Sequence, residues 1–60
     1  MTENELREMA EDVAAAVDDY PNQDPAEVMD EVIRIFAEQA ELTAGEVERL
    51  RRLSSVLADS

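Results

Sequence analysis

Cysteine, histidine, lysine and tryptophan are absent from this chain of 60 residues, which also has a single glycine. Without cysteine and histidine, neither a disulfide nor a zinc site can reinforce the core of so small a protein. The same absences remove the commonest nucleophile and general base, and Ser54, Ser55 and Ser60 have no lysine or histidine to activate them. We therefore expect no enzyme activity, no cofactor and no small-molecule substrate.

Positive charge is also scarce, because sixteen acidic residues face only five basic ones, all arginine, for a net charge of −11. Repulsion between like charges opposes the compact state, and salt at about 1 M screens most of it. This composition resembles that of proteins from salt-loving archaea, and it is also compatible with a GC-rich bacterium or a phage. Acidic pairs such as Asp18 and Asp19 have no calcium-loop pattern around them, so we expect a solvated acidic surface.

Long apolar runs are missing as well. No run approaches the roughly 18 apolar residues of a membrane span, and the first residues, MTENELREMAED, carry acids where a secretory signal needs positive charge. The sequence predicts a cytoplasmic protein that does not cross a membrane.

Three helix-start signals of one kind divide the chain. Thr2, Asp24 and Thr43 each stand three residues before a glutamate, which is the spacing of a capping box. Pro25 adds a second start signal, because proline fits the first position of a helix. These signals predict helices over about 3–20, 25–41 and 44–58, with Pro21 ending the first.

Apolar residues recur at helical spacing behind each cap, and no segment alternates as a strand does. The second helix has the widest stripe, which predicts that it is contacted on two sides, as the central helix of a three-helix bundle or of a dimer. The stripe consists of two seams: Val28, Val32, Ile35, Gln39, Leu42 and Met29, Ile33, Phe36, Ala40. We predict an all-α, three-helix bundle in one domain, residues 1–60. The short connection near Leu42 makes helices two and three a tight antiparallel hairpin, and the small core would be completed by dimerisation.

The third helix concentrates Arg49, Arg51 and Arg52 in four positions. Glutamates stand three or four residues before them, Glu46 before Arg49 and Glu48 before the other two, so we predict ion pairs within the helix. Asp30 stands four residues before Arg34, so we predict an ion pair there as well. The alternative is that the three arginines contact nucleic acid.

The segment 42–50, LTAGEVERL, resembles the LTxxE…L start of the helix-turn-helix domain of LuxR-type response regulators. In that family a further turn and a recognition helix follow this start, and no such helix follows before Ser60. The resemblance covers about nine residues, so no DNA-reading role is carried over to this chain.

The function predicted from the sequence is a non-enzymatic, acidic protein-protein interaction module that self-associates as a homodimer or binds a protein partner. Its candidate interface comprises Met29, Ile33, Phe36, Ala40, Leu50, Leu53 and Leu57. Two alternatives remain open: an inhibitor that mimics nucleic acid, and a small salt-adapted transcriptional regulator that uses Arg49, Arg51 and Arg52.

Overall fold

Three α-helices form in the computed structural model, which describes residues 1–59. Helix α1 spans Glu3–Asp19, α2 spans Pro25–Ala40 and α3 spans Ala44–Asp59. Each end lies within one residue of its predicted position, and no strand occurs in the described part of the chain. The all-α, three-helix prediction is confirmed.

The predicted caps explain where the helices begin. Thr2 and Glu5 form a complete capping box, in which each backbone N–H donates to the other side chain at 3.2 Å. Thr43 and Glu46 form the same box, at 2.9 and 3.2 Å. Asp24 instead accepts from the N–H of Ala26 at 3.0 Å. An N-cap side chain can satisfy either the second or the third helical N–H, so Asp24 caps α2 through a different donor from the one predicted.

Helix α2 ends in a left-handed residue, Glu41, with φ 52° and ψ 50°. The Leu42 N–H donates back to the Ala37 carbonyl at 3.0 Å, and the Glu41 N–H donates to Glu38 at 3.4 Å. This pair of bonds is the Schellman arrangement, which usually has glycine at the left-handed position. It turns the chain sharply, and Leu42 packs against the core.

The helices run up, down and up. Glu3 of α1 pairs with Arg49 near the start of α3, so these two helices are parallel. Met29 near the start of α2 accepts a hydrogen bond from Ser55 in the second half of α3, so α2 is antiparallel to α3, as predicted. The Cα radius of gyration is 10.5 Å, close to the roughly 10.4 Å expected for a compact domain of this length.

The central helix is α1, which corrects the prediction that α2 has this position. Helix α1 packs most extensively against α3, whereas the α2–α3 pair has the smallest contact. Four of the buried apolar side chains belong to α1: Leu6, Ala10, Val13 and Val17. The first three of these meet Ile33 and Leu50 in the core. Small side chains such as Ala10 let two helix backbones approach closely, which accounts for the extensive α1–α3 packing.

No helix in the part of the chain that the structure describes is both long and apolar enough to cross a lipid bilayer.

Candidate interaction surface

Most of the predicted interface lies inside the bundle. Ile33 is 1% exposed and Leu50 0% exposed, and both belong to the core. Met29, Phe36, Leu53 and Leu57 are half-buried and pack against that core. Only Ala40 is fully on the surface. A partner could therefore touch the edges of this set but not its centre, and its role in binding stays a prediction.

Four other large apolar residues are open to solvent, the first of them Met1, at 48%. Tyr20 is 53% exposed, Ile35 47% and Val56 67%. Tyr20 directly follows α1, and Ile35 belongs to the α2 seam that was not assigned to the interface. Both lie at the edge of their apolar stripes. Exposure at a stripe edge depends on the angles at which the helices pack, and the sequence carried no signal for those angles.

Two shallow depressions lie beside α2, the first where α2 meets the connection between α1 and α2 and the second where α2 meets α1. The first, about 310 Å³, is lined by Tyr20, Val28, Val32 and Ile35 together with Gln23 and Glu31. The second, about 280 Å³, has Met9 and Phe36 on its floor. Val32 and Phe36 are one turn apart, so about 6 Å of α2 separates the two depressions. We call the pair of depressions the α1–α2 groove.

Acidic side chains border the α1–α2 groove. Glu5, Glu8 and Asp12 line the second depression on the α1 side, and Glu31 lines the first on the α2 side. No arginine is among the residues lining either depression. Met1 also lines the second depression, where its ammonium group is paired with Glu46, so the groove is an apolar strip with a mainly acidic rim.

A wider depression of about 490 Å³ lies beyond Tyr20, where the end of α1 meets the start of α2 and the end of α3. Met29 lines it, and its sulfur accepts a hydrogen bond from the Ser55 hydroxyl at 3.7 Å. Tyr20 lines both this depression and the α1–α2 groove. Its ring is therefore accessible from two sides.

Charge is distributed unequally among the helices. Helix α1 has seven acidic residues and one arginine, α2 has four and one, and α3 has three and three. The net charges of the helices are −6, −3 and 0. The surface formed by α1 and α2 carries most of the negative charge, and α3 is the neutral side of the molecule.

The arginines of α3 have different partners from those predicted. Arg49 pairs with Glu3 of α1 rather than with Glu46, and Arg51 pairs with Asp30 of α2 at 2.7 Å rather than with Glu48. Arg52 has no ion pair within residues 1–59. The predicted pair of Asp30 with Arg34 is present at 3.9 Å. Two of the three clustered arginines therefore connect α3 to its neighbours.

Two carboxyl groups have altered acidity. The hydroxyl and then the backbone N–H of Thr2 hold the pKa of Glu5 below its ordinary value of 4.5. The backbone N–H of Thr43 and then the Met1 ammonium, 3.1 Å away, hold the pKa of Glu46 below the same value. Hydrogen bonds to a carboxylate favour its charged form. Both groups stabilise helix starts.

No group of three or more acidic side chains suited to a metal ion occurs among residues 1–59. No protein-family model, curated protein or solved structure matches the chain.

Proposed function

We propose that this protein is a non-enzymatic interaction module that binds other protein surfaces through the α1–α2 groove. The observation that supports the proposal is the exposure of Tyr20 and Ile35 at an apolar groove with an acidic rim. Aromatic and aliphatic side chains that fill or border a groove are common anchors in protein interfaces.

The acid–base properties of the chain support a role without catalysis. A carboxyl group that serves as a general acid needs a pKa raised toward neutrality. The shifts found here lower the pKa of Glu5 and of Glu46 instead. The proposed module needs no cofactor.

Self-association, as predicted from the sequence, belongs to this proposal under concentrated salt. Two copies that meet at the α1–α2 groove would bring two acidic rims together, which is unfavourable in dilute buffer. At about 1 M salt the screening length falls to about 3 Å, and the apolar contact can then dominate.

Sedimentation equilibrium at about 0.1 M and about 1 M potassium chloride tests this proposal. We expect a monomer at the lower concentration and a dimer at the higher one. Ile35→Ala should weaken the dimer, whereas Val56→Ala, which shortens an exposed side chain on α3, should not. A strict monomer in both solutions, or equal effects of the two variants, would contradict self-association through the groove.

A nucleic-acid mimic is the first alternative, and the acidic side chains of α1 favour it. Glu5, Asp12 and Asp19 recur every seven residues, and so do Glu11 and Asp18, which gives two rows with about 10.5 Å between successive acids. A positively charged groove could bind such rows. Displacement of duplex DNA from a non-specific, basic DNA-binding protein tests this alternative, and variants that neutralise either row should fail to displace it.

The second alternative is a salt-adapted regulator in which Arg49, Arg51 and Arg52 contact DNA. Of these three arginines, only the exposed Arg52 lacks an acidic partner within residues 1–59, so this alternative has the weaker support. A filter-binding assay in molar potassium chloride with the triple arginine-to-alanine variant decides it. Binding that persists in the variant, or is absent in the parent, rejects a role for these arginines.

A further inference from the structure

We propose that the partner of the α1–α2 groove is an amphipathic helix whose polar face carries lysine and arginine. This inference rests on the proposed function and adds the chemical nature of the partner. The proposed partner is a segment of another protein, and it binds in dilute salt. Pairing of two copies of this chain is a separate outcome that the experiment below can distinguish.

The spacing of side chains in the groove suits a docked helix. Val28, Val32 and Ile35 stand at intervals of four and three residues along α2, and Phe36 extends the strip. Val28 is only 5% exposed, so the accessible part of the strip is formed by the other three. From Val28 to Phe36 the strip is about 12 Å long, which is about two turns of a helix. Helices that dock in apolar grooves use side chains three and four residues apart as anchors.

The charge at the groove determines which sign of charge the partner must carry. Glu5, Glu8, Asp12 and Glu31 line the groove, and no arginine lines it. Helices α1 and α2 together have a net charge of −9. A helix with basic residues beside its apolar stripe would therefore place cations against Glu31 at the first depression and against the three acids of α1 at the second. Charge complementarity of this kind increases the association rate and fixes the orientation of the partner.

The outer surface of α3 provides an internal comparison. Val56 is the most exposed of the large apolar side chains described, at 67%. It belongs to a helix with no net charge. If apolar exposure alone determined binding, the Val56 surface would bind the same peptide. If charge complementarity matters as well, only the groove should bind it.

The test uses a synthetic helical peptide with leucine at every third or fourth position and lysine on the opposite face. One control peptide replaces lysine with glutamate, and another keeps the composition but breaks the helical spacing of the leucines. Fluorescence anisotropy of labelled peptide measures binding to the full chain. We expect only the basic amphipathic peptide to bind. Its affinity should fall about tenfold or more between about 0.1 M and about 1 M salt.

Variants locate the binding site. Tyr20→Ala and Ile35→Ala should each weaken binding about fivefold or more, since central aromatic and aliphatic anchors dominate interfaces. The double variant Glu8→Gln with Asp12→Asn should weaken it to a similar extent. Val56→Ala and Glu48→Gln, both on α3, should leave it within about twofold. Circular dichroism of every variant establishes that the helices are intact.

Three results would overturn the inference. They are failure of the basic peptide to bind, equal binding of the peptide with scrambled leucines, and equal loss of binding in the α3 variants. If the chain dimerises in concentrated salt but does not bind the peptide, the proposed function stands and the basic-helix inference is wrong. If it neither dimerises nor binds, both are wrong.

Discussion

At the scale of single residues, Ser54 is a buried polar residue. It is 0% exposed, and its hydroxyl has no hydrogen-bond partner in the described part of the chain. A buried polar group without a partner loses its hydration without compensation. Serine is also a poorer helix former than alanine. We predict that Ser54→Ala raises the free energy of unfolding by about 1 kcal/mol in urea denaturation.

Ser55 supplies the matched control for that prediction. It is exposed, and its hydroxyl donates to the Met29 sulfur. Ser55→Ala changes helix propensity by the same amount but removes no buried, unpaired group. It should therefore change stability by no more than about 0.5 kcal/mol. Equal stabilities of the two variants would mean that the Ser54 hydroxyl costs nothing in the folded state.

Glu41 adopts a left-handed conformation that is unfavourable for a residue with a β-carbon. Its φ of 52° lies in the region that glycine adopts without steric cost. Its negative charge also lies at the C-terminal end of α2, where the helix dipole favours cations. We predict that Glu41→Gly raises the free energy of unfolding by about 1 kcal/mol. Thermal and urea denaturation measure the change.

Glu41→Gln separates the two causes. It removes the charge and keeps the side chain that strains the backbone, so it should recover only a few tenths of a kcal/mol. If Gln stabilises the protein as much as Gly does, the charge rather than the backbone conformation is responsible.

At the scale of the helices, the start signals were predictable because each involves neighbouring residues. The Thr2–Glu5 and Thr43–Glu46 boxes join atoms three residues apart, and this spacing is visible in the sequence. The partners of Arg49 and Arg51 were not predictable in this way. They lie on other helices, and their choice depends on how the helices are arranged.

The candidate surface was predictable only in part, for the same reason. The apolar stripe of α2 was clear in the sequence, but which of its residues α1 would cover was not. Ile33 lies inside the bundle while Ile35, two residues later, remains 47% exposed. The wider stripe of α2 predicts a central position for α2. The structure places α1 there instead, because four of its side chains are buried.

The capping box of α3 should make the stability of that helix depend on pH. The pKa of Glu46 is lower in the folded protein than its ordinary value of 4.5. The stabilisation is therefore fully present above that value and disappears as the pH falls through the lowered pKa. We predict that Glu46→Ala lowers stability at pH about 7, and that the difference from the parent shrinks as the pH falls through the lowered pKa of Glu46. Urea denaturation at several pH values provides the measurement.

Glu48→Ala is the control for this pH dependence. Glu48 lies half a turn further along α3 and is exposed. The Glu48 carboxylate is not part of the capping box and interacts with Arg51 and Arg52 only through its charge. Any pH-dependent difference caused by its removal should therefore vanish at about 1 M salt, whereas that of Glu46→Ala should persist. A difference between Glu46→Ala and the parent that stays constant from neutral to acidic pH would exclude the carboxylate of the capping box as its source.

At the scale of the whole molecule, the unequal distribution of charge gives similar substitutions opposite effects. Glu8 of α1 has Glu5, Glu11 and Asp12 three or four positions away, whereas Glu48 of α3 precedes Arg51 and Arg52 at the same spacing. Like charges at this spacing destabilise a helix, and opposite charges stabilise it. We predict that in dilute buffer Glu8→Gln raises the free energy of unfolding by about 0.5 kcal/mol and Glu48→Gln lowers it by a similar amount.

Salt provides the test of that whole-molecule prediction. At about 1 M potassium chloride screening should reduce both differences to near zero, while the stability of the parent protein rises as its own repulsion is screened. Urea denaturation of the three proteins at low and high salt measures these changes. Both variants would change stability in the same direction if net charge alone mattered. Opposite signs in dilute buffer that vanish together in salt would instead show that the neighbouring charges on each helix determine the effect.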